Sequence, residues 1–202
     1  MNSKARLYFS NKLASGTVSK LSKNQSHYVK NVIRLNQGDR ISIFNSNNGE
    51  WDAVILAHGK ELTEFKVEKQ SRPKGEENNI WLAFSPIKKI PQDLMLQKTT
   101  ELGIKKFIPI LCERSVVRDI NIERANKIVI EASEQSNRIS VPEILEAQSL
   151  ITFLKNFPEN GHLIFCDINT KSSNLKKILT GKNPVCILVG PEGDFSEKER
   201  QF

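Results

Sequence analysis

The sequence predicts a small β-barrel followed by a doubly wound α/β domain. Short alternating strands occupy the first third of the chain, whereas apolar strands alternate with amphipathic helices from residue 80 onwards. Continuous apolar strands are typical of parallel sheets that are covered on both faces. A polar stretch with one Pro and one Gly separates the two patterns. We therefore predict a barrel domain at 1–72, a linker at 73–79 and an α/β domain at 80–202.

The barrel is predicted from three strands and one helix. The strands are predicted at 39–45, 51–56 and 62–70. Asn48-Gly49 is a strong hairpin signal between the first two strands. The helix is predicted at 24–35, with Tyr28, Val29, Val32 and Ile33 on one apolar stripe. Strands of this length beside one helix favour a compact barrel of about 70 residues.

The α/β domain is predicted from four apolar strands and four helices. The strands are predicted at 80–84, 106–111, 162–167 and 185–190. The helices are predicted at 91–102, 121–136, 149–157 and 174–179. Pro91 in the first turn and Gly103 after the last turn are typical boundaries of the first helix. Strand-helix-strand units of this size favour parallel pairing.

The charge of the chain is concentrated in its first third. Residues 1–75 contain 13 Lys and Arg against 6 Asp and Glu, whereas residues 76–202 contain 17 of each. Such asymmetry indicates that the basic part meets a polyanion, and nucleic acid is the partner that we expect. Solubility alone is the alternative explanation, but it does not predict this segregation.

Several functional classes lack support in the sequence. No apolar run approaches the length of about 20 residues that a membrane helix needs, and the N-terminus lacks a secretory signal, so we expect a cytoplasmic protein without a membrane partner. The three cysteines, Cys112, Cys166 and Cys186, are far apart, and we expect buried thiols rather than a disulfide or a metal site. Dinucleotide, P-loop, zinc-protease and serine-hydrolase motifs are absent.

The stretch from Ile187 to Ser196, ILVGPEGDFS, is the strongest candidate for a ligand site. It follows an apolar strand, and parallel sheets bind ligands beyond the carboxyl ends of their strands. Gly190 and Gly193 allow the backbone to approach a ligand and to adopt positive φ, and Pro191 stiffens the turn. An ordinary strand-to-helix turn, ending in a capping box from Ser196 to Glu199, is the alternative.

Two further clusters of polar residues carry functional hypotheses. Glu134, Gln135 and Arg138 stand at the end of the helix predicted at 121–136, where acidic groups oppose the helix dipole. A solvated helix end is the alternative. Arg114 and Arg118 follow a predicted strand and are suited to clamp a phosphate.

Four segments resemble the RsmE family of 16S ribosomal RNA uridine-N3-methyltransferases, and they occur in the family order. They are HYVKNVIRLNQGD, QKTTELGIKKFIPILCERSVV, EASEQSNRISVPEI and LVGPEGDFSEKE. The resemblance implies a PUA-like barrel and a SPOUT methyltransferase domain with a trefoil knot. It also implies a homodimer that uses S-adenosylmethionine to methylate N3 of one uridine in the decoding region of 16S rRNA in the 30S subunit.

The resemblance also implies roles for individual residues. The turn formed by Leu188, Val189, Gly190, Pro191, Glu192 and Gly193 would wrap the adenosine moiety, and Phe165 and Asp167 would form a neighbouring wall. The catalytic candidates are Glu134, Arg138 and Arg114. The RNA-binding candidates are Arg6, Lys30, Arg34, Gln135 and Arg138. Glu134 is a candidate proton acceptor, but the sequence assigns no general base.

One departure from the family and two rival functions remain. Family members continue with an arginine-containing segment that threads the knot, and no such segment follows Phe202. We therefore expect residues 1–202 to bind S-adenosylmethionine weakly and to form an incomplete dimer interface; tight binding in calorimetry would contradict this. The rivals are a non-catalytic RNA-binding protein and a SPOUT methyltransferase that acts on another RNA.

Overall fold

The computed structural model describes residues 3–167 and 183–202. The chain forms two compact units, which we call the N-terminal unit and the C-terminal unit. The N-terminal unit comprises Met1–Glu76 and Ser133–Val141, and the C-terminal unit comprises Glu77–Ala132 and Pro142–Phe202. The segment 133–141 therefore belongs with the basic first third, although it lies far along the chain.

The N-terminal unit contains a five-stranded sheet with the order β1-β3-β4-β5-β2. The strands are β1 Arg6–Tyr8, β2 Val18–Lys20, β3 Arg40–Asn45, β4 Gly49–His58 and β5 Thr63–Arg72. β1 is parallel to β3, and the other neighbours are antiparallel. The three predicted strands are confirmed. β1 and β2 are not predicted from the sequence, because three residues are too few to show the alternation of apolar and polar side chains.

Alternation along the strands explains where the core of the N-terminal unit lies. Its buried side chains include Ile41, Ile43, Ala53, Ile55, Phe65 and Val67. Register shifts between β4 and β5 mark bulges, which bend a strand and increase its twist. The hairpin predicted at Asn48-Gly49 is present: β4 begins at Gly49, which pairs with Asn45 and has φ of 77°. The Asn45 side chain accepts hydrogen bonds from the Asn47 and Asn48 N–H groups.

The predicted helix of the N-terminal unit changes type along its length. α1, Lys23–His27, begins with a capping box from Ser22 and Gln25 and continues into a π-helical turn, Tyr28–Val32. The prediction of a single apolar stripe is wrong: Val29 is buried, but Tyr28 and Val32 are exposed. A π-helix has more residues per turn than an α-helix, so the side chains rotate out of the predicted stripe.

The C-terminal unit contains a parallel sheet, as predicted, with the order β10-β11-β6-β7-β8 and with β9 also paired to β7. The strands are β6 Ile80–Phe84, β7 Lys106–Leu111, β8 Glu143–Ile144, β9 Gln148–Ser149, β10 His162–Cys166 and β11 Val185–Val189. The helices are α2 Lys89–Glu101, α3 Ile122–Gln135, α4 Leu150–Lys155 and α5 Glu197–Gln201. The helix predicted at 174–179 lies outside the described residues.

The cysteines follow the prediction at two of three positions. Cys112 and Cys186 are buried, and burial raises the pKa of each thiol to about 12. Cys166 is exposed, so the prediction of a buried thiol is wrong there. It is the last residue of β10, the outermost strand of the described sheet, and a strand edge covers its side chains less completely than a central strand does.

Candidate functional site

The topology of the parallel sheet selects one place for a ligand. The chain moves outward from β6 to β7 and β8, whereas β10 and β11 lie on the other side of β6. β6 and β11 are therefore neighbours in the sheet that are not consecutive in the chain, and open parallel sheets bind ligands beyond the carboxyl ends of their strands. At the carboxyl ends of these strands, the Ser85 N–H donates to the Val189 carbonyl over 3.0 Å.

The turn after β11 is shaped by an aromatic ring. A β-carbon on Gly190 would lie 2.8 Å from Cζ of Phe195, whose ring is buried. The Asp194 N–H donates to the Pro191 carbonyl over 2.9 Å, and Asp194 has φ of 62°. Neither Gly190 nor Gly193 adopts the positive φ that glycine allows, and the left-handed residue of this turn is Asp194. Gly190 is needed for the close approach of the Phe195 ring.

The loop after β7 supports the same turn. Arg114 Nη1 donates to the Gly193 carbonyl over 3.3 Å. The Ser85 and Ser115 hydroxyls, both buried, are 2.7 Å apart, and the Ser115 hydroxyl also accepts from the Cys112 N–H over 2.9 Å. The two serines thus join the end of β6 to the loop that carries Arg114.

The end of β10 forms a second wall of the turn. The rings of Phe165 and Phe195 are 4.7 Å apart between centroids and tilted by 49°. The Asp167 carboxylate accepts a hydrogen bond from Arg200, which also donates to Asp194 over 2.5 Å. These two carboxylates raise the pKa of the Arg200 guanidinium, so α5 ties the turn to the end of β10 through a charged side chain.

The structure thus brings together the residues that the sequence assigned to cofactor binding. Phe165 and Val189 present exposed apolar surface, whereas Leu188 is buried within the sheet and offers only backbone. Pro191 is buried, and Glu192 and Gly193 are exposed. Sequence reasoning missed the supporting residues Ser85, Ser115, Phe195 and Arg200. Two signals could have found residues of this set: Phe195 lies within the stretch 187–196, and Ser85 comes directly after an apolar strand.

The other predicted site residues lie in the N-terminal unit, where Arg6 contacts the segment that carries Glu134, Gln135 and Arg138. The Arg6 guanidinium donates to Glu50 Oε2 through Nε and Nη2, each over 3.2 Å. It also donates to three backbone carbonyls, those of Ser133 at 2.9 Å, Glu134 at 3.2 Å and Arg138 at 2.5 Å. Arg72 donates to the same Glu50 oxygen and to the Asn137 carbonyl. The segment 133–141 is therefore held by two arginines that share one carboxylate.

Glu50 has an unusual electrostatic environment. Burial alone would raise the pKa of its carboxyl, but the hydrogen bonds from Ser42, Arg72 and Arg6 lower that pKa below its ordinary value. Burial lowers the pKa of Arg6, but a guanidinium keeps its proton throughout the physiological range. Glu50 is consequently an anion between two cations.

The predicted catalytic and RNA-binding residues of the segment 133–141 differ in exposure. Glu134 Oε1 accepts from the Tyr8 N–H over 2.8 Å, and Arg138 donates to the Ser140 hydroxyl over 2.9 Å. Both side chains are partly buried, whereas Gln135 is exposed. Lys30 lies in the π-helical turn and Arg34 just beyond it, with φ of 54°. Both are exposed, in contrast to Arg6.

Within residues 3–167 and 183–202 no helix is both long enough and apolar enough to span a membrane. The same residues contain no group of three or more His, Cys, Asp and Glu side chains placed to hold a metal ion.

Two family models match the chain. Residues 74–202 match the model described as RNA methyltransferase domain, and residues 21–68 match the model described as RNA methyltransferase PUA domain. Both descriptions concern one class of protein, RNA methyltransferases that carry a PUA domain.

Individual relatives point to one family within this class of RNA methyltransferases. Ribosomal RNA small subunit methyltransferase E of Rickettsia conorii is 33% identical over 201 residues, which are 98% of this chain and 82% of that protein. The crystal structure of the Neisseria gonorrhoeae ribosomal RNA small subunit methyltransferase E, bound to S-adenosyl methionine, has a TM-score of 0.88 and 29% identity, and the match covers 98% of this chain and 83% of that one. A Legionella pneumophila putative methyltransferase in complex with the same cofactor has a TM-score of 0.83 and 25% identity, with coverage of 100% and 85%.

The chain belongs to the ribosomal RNA small subunit methyltransferase E family. The resemblance found in the sequence is thereby confirmed, and so is the combination of a PUA-like domain with a methyltransferase domain. The trefoil knot and the boundaries at 72, 79 and 80 stay predictions.

Proposed function

We propose that this protein uses S-adenosylmethionine to methylate N3 of a specific uridine in the decoding region of 16S ribosomal RNA. The observation that carries the proposal is the glycine-proline turn at the carboxyl end of β11 in the parallel sheet, where Phe195 and Arg114 fix the backbone. Relatives whose names describe small-subunit rRNA methyltransferases support the substrate. The basic first third of the chain supports a polyanionic partner.

The turn suits a flat heterocycle with a charged sulfonium side chain. Gly193 is exposed and Gly190 is half-buried, so the backbone of the turn is open to a ligand, and Phe165 and Val189 add apolar surface beside it. Most binding pockets combine such apolar walls with a few fixed polar groups. In this proposal Leu188–Gly193, Phe165 and Asp167 hold the cofactor; Asp167 does so by fixing Arg200 and the turn.

Methyl transfer to N3 makes modest demands on the protein. S-adenosylmethionine supplies a methyl group that is already activated for transfer. The chain must hold the uracil N3 in line with that methyl group and accept the proton that N3 loses. It must also keep the uracil out of the stack of RNA bases. We assign the orientation of RNA to Arg138, Gln135 and Arg114. Glu134 is the candidate proton acceptor, and Lys30 and Arg34 are the phosphate contacts of the barrel.

A methylation assay distinguishes this proposal from its rivals. The full-length protein is incubated with a saturating concentration of labelled S-adenosylmethionine and with unmodified 30S subunits, naked 16S rRNA or transfer RNA. We expect label in 16S rRNA, identified by mass spectrometry as N3-methyluridine. Label in transfer RNA or on a ribose hydroxyl would favour another SPOUT enzyme. RNA binding without label would favour a non-catalytic protein.

Arg138→Ala tests the catalytic segment. We expect methylation to fall by at least about 100-fold, as removal of a group that orients the substrate does, while the fold stays intact. Arg40→Ala is the matched control, because Arg40 makes a surface ion pair with Glu68 in the same unit. Circular dichroism establishes that both variants fold. Near-normal turnover of Arg138→Ala would refute the assignment.

The proposal includes a cytoplasmic location, a homodimer, and the 16S rRNA, free or within the 30S subunit, as partner. The cytoplasmic location and the ribosomal partner are supported by relatives whose names describe activity on small-subunit rRNA. Exposed apolar side chains at Ile90, Leu94 and Leu102, in and next to α2, support an association surface in the C-terminal unit. Light scattering measures the mass in solution, and a monomer at micromolar concentration would contradict the dimer.

A further inference from the structure

All five N–H donors of Arg6 have acceptors within the N-terminal unit. A guanidinium has one N–H at Nε and two at each Nη atom. Nε and one Nη2 donor bind Glu50, the second Nη2 donor binds the Arg138 carbonyl, and the two Nη1 donors bind the carbonyls of Ser133 and Glu134. No donor is left for a phosphate oxygen.

The surroundings of Arg6 also exclude solvent. Its side chain is 14% exposed, and Cζ lies 3.7 Å from the centroid of the Phe44 ring, which covers one face of the guanidinium. The charge is balanced by the Glu50 carboxylate, which is 10% exposed. An arginine that is stacked, paired and enclosed in this way makes a poor contact for RNA, since breaking these bonds would leave a buried carboxylate short of a partner.

The acceptors of Arg6 show what it holds. The carbonyls of Ser133 and Glu134 belong to the last turn of α3, where a helix has no internal donors for its C=O groups. The Arg138 carbonyl lies beyond the helix, and the Arg138 N–H returns to the Ser133 carbonyl over 3.2 Å. Asn137, between them, adopts the left-handed conformation with φ of 64°. One guanidinium therefore caps the helix and closes the loop that follows it.

We propose that Arg6 is a positioning residue that fixes the segment 133–141, with Glu50 as its counter-ion, and that it makes no direct contact with RNA. One consequence rests on the proposed function: by fixing this segment, Arg6 positions Glu134 and Arg138 to act on the RNA substrate. It replaces the sequence-based expectation that Arg6 binds RNA together with Lys30 and Arg34.

Amide hydrogen exchange without RNA tests the structural half of the proposal. Arg6→Lys keeps the charge but cannot span Glu50 and three carbonyls, because an ammonium lacks the planar fork. We expect exchange at residues 133–141 to accelerate about tenfold, the effect of losing a hydrogen bond to a charged group. Strands β3 to β5 should keep the wild-type rate. Glu50→Gln should also accelerate exchange at residues 133–141, and Lys4→Ala, which removes the exposed Lys4–Asp39 pair, should not.

The salt dependence of RNA binding tests the other half. Each phosphate contact adds about 0.7 to the slope of log Kd against log salt concentration for single-stranded RNA. We expect Arg6→Lys and Arg6→Gln to leave this slope unchanged and to lower kcat without raising KM, whereas Lys30→Ala should lower the slope. If Arg6→Gln lowers the slope while exchange at 133–141 stays at the wild-type rate, Arg6 is an RNA ligand and the proposal is wrong. The exchange result does not depend on methylation, so failure of the proposed function would be seen separately.

Discussion

At Gly190 the ring of Phe195 occupies the space into which a β-carbon would project. The same turn places its one left-handed residue at Asp194, where the side chain accepts a hydrogen bond from the Phe195 N–H over 2.8 Å. Asp tolerates this conformation better than most residues, because its short side chain bonds to the nearby backbone. The shape of the turn thus depends on Phe195 at least as much as on its glycines.

Gly190→Ala should therefore destabilise the protein. We expect a loss of about 1–3 kcal/mol in the free energy of unfolding, the usual effect of forcing an extra carbon into a packed site. Urea denaturation measures this loss. Gly75→Ala is the matched control, since a β-carbon there meets nothing within 4 Å and the residue has no positive φ. Equal stability of the two variants would show that the Phe195 ring can move aside.

At the residue scale, the sequence predicts local features better than contacts across the chain. A turn at 188–193 is predicted because a strand, two glycines and a proline are adjacent, and its role in cofactor binding stays a prediction. The role of Arg6 was missed because its acceptors at Ser133, Glu134 and Arg138 are more than a hundred residues away in sequence. A basic residue in a basic segment looks like an RNA contact until its acceptors are known.

At the scale of single elements, the β3–β4 hairpin depends on Gly49 for two separate reasons. Gly49 has φ of 77°, and a β-carbon there would lie 2.8 Å from the Lys74 nitrogen. Gly38, in the turn before β3, has φ of 88°, but a β-carbon there would meet nothing within 4 Å. Comparing alanine substitutions at Gly38 and Gly49 therefore separates the effect of an unfavourable φ on the free energy of unfolding from the effect of a steric clash.

Gly38→Ala should lower the free energy of unfolding by about 1 kcal/mol, and Gly49→Ala by about 3 kcal/mol or more. Both alanines meet the backbone strain of a positive φ, but only the one at position 49 also collides with the chain at residues 72–74. Chemical denaturation of both variants gives the comparison. A smaller loss for Gly49→Ala than for Gly38→Ala would contradict this account.

The sequence also predicts elements unevenly, according to their length. Long apolar strands such as β6, β7 and β11 were found within one residue of their bounds, because burial on both faces leaves a continuous signal. The two-residue strands β8 and β9 are too short to give any such signal in the sequence. The sequence predicts an ordinary helix at the π-helical turn Tyr28–Val32, because the two helix types differ in their hydrogen bonds and not in the residue types that form them.

At the scale of the whole molecule, buried carboxylates link stability to pH. Hydrogen bonds hold the pKa of Glu50 below its ordinary value in the folded protein, whereas an unfolded Glu has a pKa of about 4.3. Between these two values the unfolded chain binds more protons than the folded one. The stabilisation from Glu50 is therefore complete above about pH 4.3 and is lost as the pH falls through the folded pKa.

Glu50→Gln should consequently be less stable than the wild type by about 2 kcal/mol at pH 7, and its stability should decline less steeply between pH 5 and about pH 3. Urea denaturation across this range measures both effects. Glu123→Gln is the control, because Glu123 forms an exposed pair with Lys127. Parallel pH profiles for wild type and Glu50→Gln would show that Glu50 keeps an ordinary pKa in the folded state.

The discontinuous composition of the N-terminal unit has an evolutionary consequence. The basic sheet at residues 1–76 obtains three of the acceptors for Arg6 from residues 133–138, which lie beyond β6 and β7 in the sequence. A recombination event that fused this sheet to an unrelated enzyme would leave a buried guanidinium without those three acceptors. We therefore expect the two parts to be inherited together, and a substitution at Arg6 to be tolerated best when the segment 133–141 changes as well.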